Sequence, residues 1–358
     1  MKRLSMLTFA LLTVWLSLDA GAAWSQDLKT LTFVQMHPVI GVGEEVFLYA
    51  VPKHLDFFKS EGLDVKLQGA PSGTVAAQVI QTNGAQLGTT APESIMQMRE
   101  QGGDIVAFFG LKRNAGTFVV VMDDSPIQKL EDLKGKTIGA NSFGSGGGYS
   151  LKQGLGEIGI TSEQYTQITI SPGPGAFAAL QSGKIDAMVV WDSMLGVAEN
   201  TGLKLRKINI SFQDRLAGMA IAVNGGFVRT DPGAVGAYCR AMTKGLVFTK
   251  ANPEAAISIF WDEFPTTRPA NLDEATARKN AAHILDRFLE MALQGQPQNG
   301  ELGDFIPAAW QNTYATFKNL GSLKGLGAAT DAYTDRFLKV CNDFNSAAVL
   351  AQAGSYPK

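Results

Sequence analysis

Cysteine and histidine are scarce in this 358-residue chain: it has two of the first and three of the second. With so few, there is no C-x-x-C pair and no zinc spacing, and no metal site is expected. The signatures of common catalysts are missing as well. No H-E-x-x-H or G-x-S-x-G occurs, and His37, His54 and His283 are scattered, so catalysis is poorly supported and no catalytic residue is assigned. Charge of one sign is not in excess. Lys plus Arg total 31 and Asp plus Glu 33, for a formal charge of −2, and no basic patch argues for nucleic acid. Beyond the first residues, no run is long and apolar enough to cross a bilayer, which takes about 20 residues. Heptads and low-complexity tracts are absent, and nothing implies a cofactor.

What is present begins with an address. Met1-Lys2-Arg3 is basic, Leu7 to Leu18 is apolar but short, and Ala20-Gly21-Ala22 or Ala23-Trp24-Ser25 offers small residues for cleavage. Residues 1–25 therefore read as a secretory signal peptide rather than an anchor helix, and the product as exported and soluble. Losing Lys2, Arg3 and Asp19 leaves 29 basic and 32 acidic residues. Cys239 and Cys341 both remain in the mature chain. An oxidising compartment permits a disulfide between them. Both also fall on apolar helical faces, which tilts the expectation to two buried thiols.

The body of the chain alternates strands and helices. Thr30–Gln35, Leu63–Leu67, Gln86–Thr90 and Ile105–Phe109 read as strands, with helices over Glu44–Phe58, from Gly73, and over Ser94–Gln101. The pattern restarts with strands at Phe118–Met122, Thr137–Ala140, Ile168–Ile170 and Asp186–Val190. Such βαβ repetition implies a largely parallel sheet covered by helices. Gly84–Ser94 can be laid over Gly183–Ser193 without a gap, which suggests two similar lobes. Ala220–Val223 reads as a strand, and after it the chain is nearly all helix. Asp231-Pro232 and Asn252-Pro253 mark two helix starts.

Candidate ligand contacts sit where strands end. The stretch Gly139–Gly148 is a Gly/Ser loop that leaves a strand and opens a helix, so its unpaired N–H groups suit a small anion or a polar ligand head. It is neither a P-loop nor a dinucleotide fingerprint. Open α/β sheets bind ligands at the carboxyl ends of their strands. Five segments occupy that place: Gln35–Gly43, Gly69–Thr74, Thr90–Glu93, Asn141–Gly148 and Trp191-Asp192. Glu44 and Glu45, adjacent in a first helical turn, read as acids favourable to the helix dipole rather than as a working carboxylate pair.

The phrases "PSGTVAAQVIQTNGAQLGTTAPES", "LEDLKGKTIGANSFGSGG" and "AALQSGKIDAMVVWDSM", behind an export signal, carry a resemblance. Over roughly residues 30–260 the chain resembles the periplasmic substrate-binding proteins of ABC importers, in the nitrate/sulfonate/taurine and thiamine-pyrimidine-precursor (NMT1/THI5-like) group. The resemblance implies an α/β, two-lobe periplasmic-binding-protein fold of type II, each lobe a mostly parallel sheet flanked by helices, with a helical C-terminal extension. Lobe 1 would comprise residues 27–115 plus 220–358 and lobe 2 residues 116–219. The ligand contacts it implies are His37, Ser72, Gly73, Thr74, Thr90, Ser142, Ser145, Gly146, Trp191 and Asp192. Phe143 and Pro92-Glu93 point away from a small inorganic anion and toward a small organic anion or zwitterion, such as a sulfonate or an aromatic acid. Asp192 or Glu93 would receive its amino or ring N–H group. The partners implied are that small molecule and an ABC permease with its ATPase at the inner membrane, with the receptor itself a monomer. Two other readings share the scaffold: a ligand-sensing periplasmic protein, and a thiamine-pyrimidine-synthase-like enzyme. The signal peptide and the shortage of cysteines argue against the enzyme.

Overall fold

The computed structural model describes residues 27–143, 147–171, 173–208, 210, 213–295 and 300–357. The leader read over 1–25 lies outside them. Among the described residues there are ten strands: β1 (Lys29–Gln35), β2 (Leu63–Gly69), β3 (Leu87–Thr90), β4 (Ile105–Gly110), β5 (Thr117–Met122), β6 (Thr137–Ala140), β7 (Thr166–Thr169), β8 (Ala187–Trp191), β9 (Leu205–Ile208) and β10 (Ala220–Asn224). They form two five-stranded sheets, ordered β2-β1-β3-β10-β4 and β7-β6-β8-β5-β9. In the first, β1 runs parallel to β2 and β3, and β10 runs antiparallel between β3 and β4. In the second, β6 runs parallel to β7 and β8, and β5 runs antiparallel between β8 and β9. Four strands of each sheet thus share a direction and one opposes them. Strand β9, with few apolar residues, was not legible in the sequence.

The two inserted strands explain the topology. β5 follows β4 of the first sheet, and β10 follows β9 of the second, so the chain crosses between sheets twice. The crossovers pair with one another. Leu111 and Lys112 donate their N–H groups to Met219 O at 3.0 and 2.9 Å, and Ala115 N donates to Leu216 O at 3.2 Å. At Gly218 a β-carbon would collide with the backbone oxygens of Asn114 and Lys112, so only glycine lets the two crossovers lie this close.

Each sheet is a variant of one pattern, related by a shift of 100 residues. Gln86 bonds β1, and Asp186 bonds β6, each by backbone and side chain. Gln86 N donates to Thr32 O at 3.1 Å and Thr32 N to Gln86 Oε1 at 2.8 Å; Asp186 N donates to Thr137 O and Thr137 N to Asp186 Oδ2, both at 2.8 Å. Gly102 and Gly202 take matching left-handed turns at φ 85° and 78°. The gapless overlay of Gly84–Ser94 on Gly183–Ser193 is therefore one residue out of step. The reason is local. Asn83 (φ 60°), not Gly84, fills the left-handed position that Gly183 (φ 70°) fills, and asparagine is among the few residues that tolerate it.

The segment read as one helix over Glu44–Phe58 is broken. Val46–Ala50 is wound as a π-helix and Val51–His54 as an α-helix. Asp56 then turns left-handed at φ 55° before the helix Phe57–Ser60. Pro52 explains the irregular winding, because it has no N–H to give the carbonyl four residues back. That carbonyl, Leu48 O, instead accepts from the buried Tyr238 hydroxyl at 3.3 Å. Tyr238 also stacks between Phe33 and Phe58, with centroids 5.4 and 5.6 Å apart.

Cys239 and Cys341 form a disulfide, which corrects the expectation of two thiols. Both are fully buried, on the helices Pro232–Ala251 and Leu338–Asn342. Two apolar helical faces that pack on each other bring Cα atoms to 4.8 Å, well inside bonding reach. The sequence showed the faces but not that they meet. The helix Glu274–Leu293 touches both halves of the molecule. Leu285, Phe288 and Leu289 join the core that holds Phe33 and Tyr238. On its other side it lies on the helix Asp192–Asn200. There Arg287 donates to both oxygens of Glu199 (Nε at 2.9 Å, NH2 at 3.0 Å) and His283 Nε2 lies 2.7 Å from Glu199 Oε2.

Candidate ligand-binding cleft

A cleft of about 1050 Å³, counted with its open mouth, lies between the sheets. The carboxyl ends of β1, β2, β3, β6 and β8 all point into it. From the first sheet come Met36 and His37, Ser72 and Gly73, and Ala91, Pro92 and Glu93; from the second come Asn141, Gly147, Ser150, Val189, Val190 and Trp191. The crossovers supply Lys112, Ala115–Thr117 and Leu216–Met219, and the C-terminal helix Pro307–Asn319 adds Thr313 and Phe317. This is the crevice that an open α/β sheet forms where strand order reverses.

The helix starts read from the sequence have two different roles. Ser72 caps the helix Gly73–Gln81 by accepting from Val75 N at 3.3 Å, and its residue lines the cleft with Gly73. Thr74 and Thr90 do not line it. Thr74 Oγ1 lies 3.3 Å from Ser94 Oγ, and Thr90 Oγ1 donates to Gly73 O at 2.8 Å. These hydroxyls brace the loop beneath the lining. Ser142 is likewise not in the cleft lining, while its neighbour Asn141 is. Phe143 packs against the core of the second sheet. Ser145 and Gly146 lie outside the described residues. Trp191 lines the cleft, and its indole Nε1 donates to Ser193 Oγ at 2.9 Å, which fixes the ring plane.

Asp192 differs from its expected part. It is 2% exposed and already bonded, accepting from Lys112 Nζ at 2.5 Å and from Ser193 N at 2.7 Å. Burial raises its pKa, with the Lys112 ammonium opposing. Lys112, not Asp192, reaches the cleft, and its ammonium also sits 4.2 Å from the Phe288 ring centroid. No local sequence pattern marks Lys112; the tertiary fold brings it there from the first crossover.

Glu44 and Glu45 are also not surface acids at a helix end. They are 5% and 3% exposed and share a pocket with His37. His37 Nε2 lies 2.8 Å from Glu44 Oε1, and its Nδ1 lies 2.8 Å from Val39 O and 3.9 Å from Glu45 Oε1. Gln35 braces this loop, donating from Nε2 to His37 O at 2.9 Å and Val39 O at 3.2 Å. Burial pulls the His37 pKa down, but the two carboxylates outweigh it and raise it to about 10. An imidazolium with both N–H groups bonded fits that geometry. Burial works to raise Glu44 too, yet His37 and, more weakly, Lys112 hold it below the usual carboxylate range. Glu45 is pushed up to about 8 by burial and by the Glu44 charge. The ligand atoms of His37, Glu44 and Glu45 lie within 4.8 Å of one another, so these three could hold a metal ion. With His37 and Glu45 protonated at neutral pH, protons already balance the charge there.

The cleft can therefore hold a partly apolar molecule. Trp191, Val189, Val190, Met219 and Phe317 offer apolar surface, the starts of the helices Gly73–Gln81 and Gly147–Glu157 offer N–H groups, and Glu44, Glu93 and Lys112 offer charge. The comparisons with known proteins agree with this architecture. The chain is 24% identical over 299 residues to the riboflavin-binding protein RibY of Chloroflexus aurantiacus, covering 81% of each chain. Its fold is similar to that of the alkanesulfonate-binding protein SsuA from Xanthomonas axonopodis pv. citri (TM-score 0.62, 14% identity, covering 86% of this chain and 99% of that one). It is also similar to the nitrate-binding protein NrtA from Synechocystis PCC 6803 (TM-score 0.60, 10% identity, covering 93% and 99%). A profile described as NMT1/THI5 like matches residues 45–256, more than half of the chain, and with its two sheets, paired crossovers and intervening cleft the protein belongs to the NMT1/THI5-like family.

Proposed function

We propose that this protein is the solute-binding component of an ABC importer. It captures a small organic solute between its two lobes, in the periplasm, and passes it to a membrane permease driven by an ATPase. One observation carries the reading: a single cleft is lined from the strand ends of both sheets, and its floor is the pair of crossovers. A solute touching both walls favours the arrangement in which the walls are close, so binding energy drives hinge closure. The relatives named above bind riboflavin, alkanesulfonate and nitrate, and the lining here favours an organic body. Trp191 and its apolar neighbours would cover a ring or chain, while the helix starts at Gly73 and Gly147 would take an acidic head, as in a zwitterion or an aromatic acid. Among the described residues no helix is long and apolar enough to cross a membrane.

Native mass spectrometry of freshly purified protein tests this reading, followed by a thermal-shift panel of sulfonates, aromatic acids, amino acids and flavins. A bound small molecule, or a hit that raises the melting temperature by the linkage RT ln(1 + [L]/Kd), is the expected result. The hit should also shrink the radius of gyration in scattering. No retained molecule and no hit across the panel would remove the proposal.

A further inference from the structure

We propose that Glu44 sets the specificity of this cleft: it accepts a hydrogen bond from a nitrogen donor of the solute, so the solutes taken are organic molecules bearing an amine or a ring N–H, and anions lacking such a donor are refused. This rests on the solute-binding reading above and narrows it.

The charges facing the cleft favour a nitrogen donor over an anion. Its lining includes two cations, His37 and Lys112, and two carboxylates, Glu44 and Glu93. Both cations are already engaged. Lys112 Nζ is bonded to Asp192 Oδ2 at 2.5 Å with its ammonium over Phe288, and His37 gives its two ring N–H groups to Glu44 and Val39. Lys112 keeps further N–H groups, but its charge is already balanced by the buried Asp192 carboxylate, so an incoming anion gains far less from it than from an unpaired ammonium. It would also approach Glu44 and Glu93, each 5% exposed. A nitrogen donor meets the opposite situation. His37 occupies Oε1 of Glu44, but an ionised carboxylate has about four acceptor positions, and Glu44 lines the cleft. Its position is rigid. His37 holds the carboxylate, Gln35 holds the His37 loop, and the backbone after Glu44 is locked by the buried run Val46–Val51. A preset acceptor discriminates strongly because a solute without the donor leaves it buried and unpaired. An acidic head remains compatible provided that it lies at the helix starts of Gly73 and Gly147, away from Glu44, with the nitrogen at the other end of the molecule.

Matched probes test this. Taurine is compared with ethanesulfonate, 4-aminobenzoate with benzoate, and riboflavin with its N3-methyl derivative, by thermal shift and then calorimetry. The better-binding pair is measured again on Glu44→Gln. In the unaltered protein the N–H member of the pair should bind about 10- to 100-fold more tightly, the range of a charged hydrogen bond. In Glu44→Gln that ratio should shrink by about tenfold. The ratio is the readout because it compares two ligands on one protein, so a general loss of stability in the variant does not move it. Glu93→Gln, measured beside it, separates the two carboxylates. If the ratio instead collapses in Glu93→Gln and holds in Glu44→Gln, the assignment to Glu44 is wrong. A solute found by native mass spectrometry that has no N–H group would overturn the inference while leaving the solute-binding reading intact. A panel and a spectrum with no ligand at all would remove both.

Discussion

The two sheets follow one plan but use opposite sizes at the same place. In the first sheet Val34 of β1 sits beside Gly88 of β3; in the second, Gly139 of β6 sits beside Met188 of β8. The large residue has changed strands while the pair remains a large one and a small one. Polar groups have separated as well. Around the first sheet the buried acids Glu44 and Glu45 gather with His37 and the buried Glu93 lines the same cleft, whereas among the described residues the buried polar side chains of the second are Ser150 and Asp192, and Asp192 is paired with Lys112 from the crossover. The first sheet is also clamped by a disulfide, stacked rings and most of the C-terminal helices. The second has smaller cores and an edge strand, β7, with hardly any buried side chain. Topology of this kind tolerates wholesale exchange of side chains as long as volumes and buried charges stay matched. It also leaves the buried His37–Glu44–Glu45 cluster with the first sheet and Trp191 and the Gly147 helix start with the second.

The strongest way to break this asymmetry is to cut the disulfide. Cys239→Ser with Cys341→Ser should cost about 3–5 kcal/mol, since the bond closes a loop of about 100 residues. The loss should fall on the first lobe, so hydrogen exchange should rise there until its protection no longer exceeds that of the second. Thiol titration of the unfolded, unreduced protein should find none; two thiols would contradict the structure.

A smaller effect sharpens the size exchange. At Gly88 a β-carbon would strike the backbone oxygen of Val34, while at Gly139 it would meet only the side-chain ends of Ile185 (2.7 Å) and Ile170 (2.8 Å). Gly88→Ala should therefore cost about 3 kcal/mol or more and Gly139→Ala about 1–2 kcal/mol, as overpacking against rigid or yielding neighbours does. Denaturant midpoints of the two variants check the order, and equal losses would show that the neighbours of Gly88 give way as easily.

The asymmetry should also show in pH. The His37 pKa is raised from 6.5 to about 10, so the stability it contributes is complete below 6.5 and is lost as pH rises through 10. Glu45, raised to about 8, acts in the same direction, complete below about 4.5 and lost through 8. Glu44 is lowered, so its share is present above its ordinary value of 4.5 and is lost on acidification. Between pH 7 and 10 the protein should therefore lose stability by this linkage, and His37→Gln should lose less over the same interval. Parallel pH curves for the two proteins would show that the cluster does not titrate with folding.

Much of this was legible along the chain because it is local. Glycine and proline mark the turns and helix starts, apolar runs mark β4, β5, β8 and β10, and loops at strand ends mark where a cleft could form. The five loops named from sequence all contribute to its lining, through His37, Ser72, Glu93, Asn141 and Trp191. The rest depends on residues far apart in sequence. Asp192 turns to Lys112, 80 positions away, and Cys239 finds Cys341 across 102. Glu44 looked like an ordinary first-turn acid, and only the return of the loop onto His37, seven residues earlier, made it a buried carboxylate facing the cleft. The sequence by itself determined the alternation of strands and helices, because periodicity and turn chemistry act over a few residues. The tertiary structure decided which charges are paired and which face a ligand, because burial and ion pairing exist only once distant segments have met.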